Sequence, residues 1–129
     1  MTELNRACIL VVENHVLTRN FISTILNNEG HFVLAAANNA EGLELSRTFV
    51  GEVRLLIAKS VEVAGTIAGE RPETRVILLS GPTSSDLKEM ARTVHPVAFL
   101  QQGALPEKLR DTIQRALTDP NFGGAFVEV

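Results

Sequence analysis

The chain contains no tryptophan, no tyrosine and one cysteine, Cys8, among its 129 residues. A single cysteine excludes an internal disulfide, and its place inside an apolar run favours a buried, inert thiol over a nucleophile. No apolar run approaches the ~20 residues needed to span a bilayer, and the opening Met-Thr-Glu-Leu-Asn-Arg is too polar for a signal peptide. A cytoplasmic protein with no membrane partner is therefore expected. Lys and Arg are scattered and the formal net charge is −3, so the chain offers no electrostatic footprint for nucleic acid. The three histidines cannot build a metal site with one cysteine: His15 reads as a solvent-facing residue at a helix start, His31 begins a strand and His95 lies in a distant loop.

What the chain does have is a regular alternation of short apolar runs and helical patterns, with Gly, Pro, Asn or Ser at the joints. Cys8-Ile9-Leu10-Val11-Val12 is β-branched and unalternating, as a strand covered on both faces should be. Phe21, Ile22, Ile25 and Leu26 recur at helical spacing until Asn27-Asn28-Glu29-Gly30 ends the helix. His31 to Ala35 reads as a second strand. Ala40 to Phe49 reads as a helix whose Leu43, Leu45 and Phe49 supply most of its buried face. Leu55 to Ala58 is a third strand, Val61 to Ala68 a short helix, Arg71 to Thr74 a turn and Val76 to Leu79 a fourth strand. Ser84 or Ser85 caps a helix carrying Leu87, Met90 and Ala91. Val97 to Leu100 is a fifth strand, and Pro106 opens a last helix through Leu109, Ile113 and Leu117. Five βα units predict an α/β fold, a doubly wound five-stranded parallel sheet with right-handed crossovers. The length and the 45% hydrophobic content suit a single core. Residues 1–117 form that domain, and 118–129 a tail whose Ala125 to Val129 has strand-like character.

In open parallel sheets chemistry gathers at the carboxyl ends of the strands. Glu13, Asn14 and His15 follow the first strand, Lys59 and Ser60 the third, Ser80 and Gly81 the fourth, and Gln101, Gln102 and Gly103 the fifth. These residues line one cleft if the strands are assigned correctly.

Three stretches stand in one order and spacing: Ile9-Leu10-Val11-Val12-Glu13-Asn14 with Arg19 after it, Val76-Ile77-Leu78-Leu79-Ser80-Gly81, and Phe99-Leu100-Gln101-Gln102 followed by Pro106-Glu107-Lys108-Leu109. In this, residues 7 to 117 resemble the CheY-like receiver domain of two-component response regulators. The resemblance implies a flavodoxin-like three-layer sandwich and a place in bacterial phosphorelay signal transduction. It also assigns positions. Glu13 falls on the first of two acidic residues that hold magnesium, and Asn14, a neutral and poorer ligand, on the second. Lys59 falls on the phospho-accepting aspartate, Ser80 on the hydroxyl that contacts the phosphoryl group, and Gln102 on the lysine that pairs with it. Gly103 takes the place of the proline that often follows, and Phe99 matches the switch aromatic without a hydroxyl. The usual Met-Pro-x-Met-x-Gly stretch is absent after Lys59.

An ammonium neither accepts a phosphoryl group as a carboxylate does nor binds magnesium. The chain is therefore expected to be a degenerate, stand-alone pseudo-receiver, with no enzymatic activity and no cofactor. It would act by contact with another signalling protein, whether kinase, regulator or scaffold, or as a homodimer through its fourth helix, fifth strand and last helix. Lys59 either pairs with Glu13 and stands in for the metal, or extends to water at the end of the sheet. Ser80 needs no role beyond a strand-end hydrogen bond, Ser60 reads as a helix cap rather than a phosphate acceptor, and Asn14 as a turn former. The alternative from another class is a small flavodoxin-like cofactor-binding protein or enzyme. Such a protein needs a Ser/Thr/Gly-rich loop after the first strand, where Glu13-Asn14-His15 puts an acid, and the chain lacks Trp and Tyr to stack on a flavin ring.

Overall fold

The computed structural model describes residues 7–79, 97–100, 106–120 and 122, with residues 97–100 described by their backbone alone. The five strands are β1 Cys8–Val12, β2 Phe32–Ala36, β3 Leu55–Ala58, β4 Arg75–Leu79 and β5 Val97–Leu100. They form one sheet in the order β2-β1-β3-β4-β5, and every neighbouring pair is parallel. The helices are α1 Val16–Asn28, α2 Asn39–Thr48, α3 Val61–Glu70 and a last helix, Pro106–Thr118. The predicted helix around Leu87 to Ala91 lies outside the described residues.

Side chains alternate across a strand, so one apolar run supplies two cores. Ile9, Val11, Leu55, Ile57, Ile77 and Leu79 face Ile22, Ile25 and Leu26 of α1 and Leu109, Ile113, Ala116 and Leu117 of the last helix. Leu10, Val12, Leu56, Ala58, Val76 and Leu78 face the other way, onto Val63, Ala64 and Ile67 of α3 and the partly buried Leu43 and Leu45 of α2. Burial on both faces is what the unalternating sequence of β1, β3 and β4 requires. The doubly wound architecture expected from the βα pattern is the one observed.

Three local readings are corrected. The second strand begins at Phe32, not His31, because the His31 N–H donates back to the Leu26 carbonyl (3.1 Å) and closes α1 through Gly30, whose φ is +88°. His31 is itself buried, and its Nδ1 accepts the Ala7 N–H at 3.1 Å. The buried face of α2 is Gly42 and Ser46, with Leu43, Leu45 and Phe49 only half-covered. The cause is close approach: a Cβ on Gly42 would stand 2.6 Å from Cγ2 of Val12. Cys8 is partly rather than fully buried, and burial pushes its thiol pKa up, against the opposing pull of the Arg71 charge, so it stays a weak nucleophile.

Two polar clamps tie the layers together. Arg71, just past α3, donates to the Ser46 carbonyl (2.7 Å), the Ser46 hydroxyl (3.2 Å), the Phe49 carbonyl (2.8 Å) and the Gly51 carbonyl (2.7 Å), locking the end of α2 and its exit loop. At the opposite side of the sheet's amino end, Arg54 donates to the Leu117 carbonyl (2.8 Å) and Arg75 to the carbonyls of Ala116 (3.0 Å) and Asp119 (2.5 Å). These cations bond carbonyls at the end of the last helix, where its dipole is negative. Arg75 also covers the ring of Phe122 at 5.8 Å, and Phe122 is buried in the core although it lies beyond residue 117.

Candidate functional site

The parallel register fixes the site. Val12 is aligned with Ala58, so the next residues of the two strands, Glu13 and Lys59, leave the sheet side by side. Lys59 Nζ stands 3.5 Å from Glu13 Oε2. The Glu13 side chain is 0% exposed and that of Lys59 is 38% exposed, so the ammonium bridges a buried carboxylate to solvent. Both sequence alternatives for Lys59 describe part of this geometry: it pairs, and it still reaches water.

Glu13 is held at every polar atom but one. Its N–H donates to the Ala36 carbonyl of β2 (3.0 Å), and its carbonyl accepts from Arg19 Nη1 (2.9 Å). Oε2 also accepts the His15 N–H at 2.8 Å, which orders the turn into α1. Among the described residues Oε1 has no hydrogen-bond partner. A buried carboxylate in such a setting depends on the adjacent cation, since an unpaired buried charge is costly.

Beside the ion pair a cleft of about 270 Å³ is lined by Val12, Asn14, Asn38, Asn39, Lys59 and Ser60. Ser60 caps α3, its Oγ accepting the Val63 N–H at 3.2 Å. His15 is the exposed cap of α1, with Nδ1 accepting from Thr18 N–H at 3.3 Å. Asn38 caps α2 through Oδ1 and the Glu41 N–H (2.8 Å), while Glu41 reaches back to the Ala37 N–H (2.5 Å). The starts of α2 and α3 therefore border the cleft, and the Ser60 hydroxyl, the His15 imidazole and the Asn38 amide oxygen are each occupied as a cap. Asn14 is exposed and lines the cleft.

Asn38 and Asn39 were not singled out in the sequence. The signal was available: they follow the second strand, just as Glu13 and Lys59 follow the first and third, and the same rule applied to every strand finds them. Ser80, Gln102 and Gly103 lie outside the described residues, as does the side chain of Phe99, whose backbone belongs to β5. Among the described residues no three His, Cys, Asp or Glu side chains are grouped to hold a metal ion, and no helix is long and apolar enough to cross a membrane.

No family model and no curated protein matches the chain. Its fold does match solved structures. It is similar to a CheY-like response regulator receiver domain protein from Methanospirillum hungatei JF-1, with a TM-score of 0.79 and 19% identity over 86% of this chain and 93% of that one. A response regulator from Thermotoga maritima gives 0.78 and 16% over 88% and 99%. The chemotaxis protein CheY4 of Vibrio cholerae gives 0.74 and 20% over 87% and 99%. At these identities the likeness establishes the fold of the CheY-like receivers, as the order and spacing of the strand-end residues led one to expect.

Proposed function

We propose that the chain is a receiver-like protein of two-component signalling that acts in the cytoplasm by protein–protein contact, without enzymatic activity and without an aspartyl phosphate. The receiver fold of its structural neighbours supports the signalling class. The observation that carries the rest is the 3.5 Å pair between Lys59 and the fully buried Glu13. Where a receiver needs a carboxylate to accept the phosphoryl group, the end of β3 offers an ammonium.

Magnesium does not fit this donor set. It requires near-octahedral oxygen donors and usually engages carboxylates. Here Glu13 supplies one free carboxylate oxygen, Asn14 supplies an amide, and the second position beside Glu13 carries a positive charge. The ammonium supplies the compensating charge instead, covalently tethered to β3. Output then depends on the surface presented to a partner kinase, regulator or scaffold.

The test is an amide NMR titration with magnesium followed by beryllofluoride, the aspartyl-phosphate mimic, observing Glu13, Lys59 and Ser60. The expected result is no saturable shift at these positions. Saturable shifts there would overturn the reading, because they require a metal site that includes Glu13.

A further inference from the structure

We propose that the β2 edge of the sheet is a self-pairing surface, and that two copies of the chain join there as antiparallel strands into one continuous sheet. β2 pairs only with β1 among the described residues and closes the sheet on that side. In a parallel ladder the backbone groups of alternate residues turn to alternate neighbours. The Phe32 N–H donates to Ala7 and the Ala36 carbonyl accepts from Glu13, so Phe32, Leu34 and Ala36 turn inward to β1. Val33 and Ala35 consequently turn their N–H and C=O groups outward.

Those outward groups select one register. Two copies related by a two-fold axis at Leu34 place Val33 opposite Ala35 of the second copy, and the reverse. Each such pair exchanges two N–H···O bonds, which satisfies every outward group of Val33 and Ala35 at once. Shifting the axis to Val33 or Ala35 opposes an outward residue to His31 or Ala37, whose N–H groups are already bonded to Leu26 and Glu41. The same register matches sizes, since Phe32 lies opposite Ala36, Val33 opposite Ala35, and Leu34 opposite itself.

The chemistry of the edge fits a copy of itself. Residues 30–40, Gly-His-Phe-Val-Leu-Ala-Ala-Ala-Asn-Asn-Ala, contain no Asp, Glu, Lys or Arg. A two-fold contact lays the strip against a copy of itself, so an uncharged strip avoids the like-charge repulsion that a strip charged with one sign would meet. Sheets usually guard an open edge with Lys, Pro or a bulge, and β2 has none of these. Phe32 is 55% exposed and stacks at 5.9 Å on Phe49, next to Val50 at 96%. That apolar surface flanks the strand and adds to what the pairing covers.

Sedimentation velocity of the full chain, from low micromolar to millimolar concentration, reads the association directly. The expected result is a concentration-dependent dimer whose dissociation constant rises at least about tenfold in Ala35→Lys, an exposed position where the charge meets its own kind near the axis. Leu34→Cys in a Cys8→Ala background locates the register, because an opposed pair that is not hydrogen-bonded holds its Cα atoms at about 4.5 Å, within disulfide reach. It should crosslink on mild oxidation, while Leu17→Cys on the exposed face of α1 should not. A chain that stays monomeric throughout overturns the proposal, as does a dimer indifferent to Ala35→Lys or equal crosslinking of both cysteines. Slow hydrogen exchange at Val33 and Ala35 in a monomer also overturns it, by showing that the edge is covered from within one chain.

Discussion

Removing the charge of Lys59 should strand the Glu13 carboxylate, and the size of the loss can be bounded. At 3.5 Å, with an effective dielectric of about 20, two unit charges attract by about 5 kcal/mol before any desolvation is subtracted. Pairs exposed on both sides return about 0.2–1 kcal/mol in double-mutant cycles, and breaking a fully buried pair costs about 3–5 kcal/mol. Here one partner is fully buried and the other is 38% exposed, so the true value lies between these limits. Lys59→Met keeps the aliphatic stem and removes the ammonium; it should destabilise the fold by about 1.5–2.5 kcal/mol. Glu13→Gln keeps an oxygen for the His15 N–H and lets the lysine turn to water, so it should cost about 1 kcal/mol or less. Urea unfolding of both single variants and the double variant gives the coupling energy, expected at about 1–1.5 kcal/mol. A loss below about 0.5 kcal/mol for Lys59→Met, with coupling near zero, would mean that Lys59 only reaches to water and that Glu13 is stabilised by other means. The reading of the cleft as locked by an ion pair would then fall.

Gly42→Ala should cost about 1–3 kcal/mol in chemical denaturation, since the added methyl meets Val12 Cγ2 at 2.6 Å and a β-branched valine has little freedom to turn aside; combining it with Val12→Ala should recover part of the loss. Arg71→Lys should lose about 2 kcal/mol despite keeping the charge, because a single ammonium cannot reach the carbonyls of Ser46, Phe49 and Gly51 together. An unchanged urea midpoint would contradict it. Burial holds the His31 pKa below its ordinary value of 6.5, with Glu29 opposing the shift and Arg54 adding to it. The unfolded chain therefore takes up this proton before the folded one does. Stability from His31 is complete above about pH 6.5 and declines as pH falls from there toward the lower folded value. Unfolding curves across that range should show the decline in the natural chain and lose it in His31→Gln.

The strands were legible because burial on both faces leaves a mark in the local sequence: Ile9 to Val12, Leu55 to Ala58 and Val76 to Leu79 are apolar without a break. The helix face of α2 was misread for the complementary reason. Periodicity weighs large apolar side chains, so Leu43 and Leu45 outweighed Gly42, yet where a helix sits against β1 as closely as this one does, the smallest residue marks the contact. His31 was placed in β2 by its neighbours' β propensity, and only the hydrogen bond back to Leu26 assigns it to the helix stop. The juxtaposition of Glu13 with Lys59 followed from two strand ends and a parallel sheet. Its distance and its asymmetry of burial depend on register and packing across 46 residues of sequence separation, which no local pattern encodes.

A tethered cation differs from a bound metal in one consequence. Magnesium and a phosphoryl group come and go, so a cleft that uses them has several charge states, and a two-state element can be biased by their differential binding. Lys59 cannot leave Glu13 except by rotating into water, and the exposed 38% of its side chain limits what that rotation gains. On the proposed reading, the charge that compensates Glu13 comes with the covalent chain, and the ligand that varies is another protein surface. For a second copy at β2, occupancy is set by the concentration of the chain itself, so mass action would supply a switch of its own. Since the Glu13 N–H is bonded to the Ala36 carbonyl at the end of β2, pairing at that edge and the ion pair share one stretch of backbone. Lys59→Met should then weaken self-association as well as stability, and a dimer dissociation constant unchanged in that variant would show the two devices to be independent.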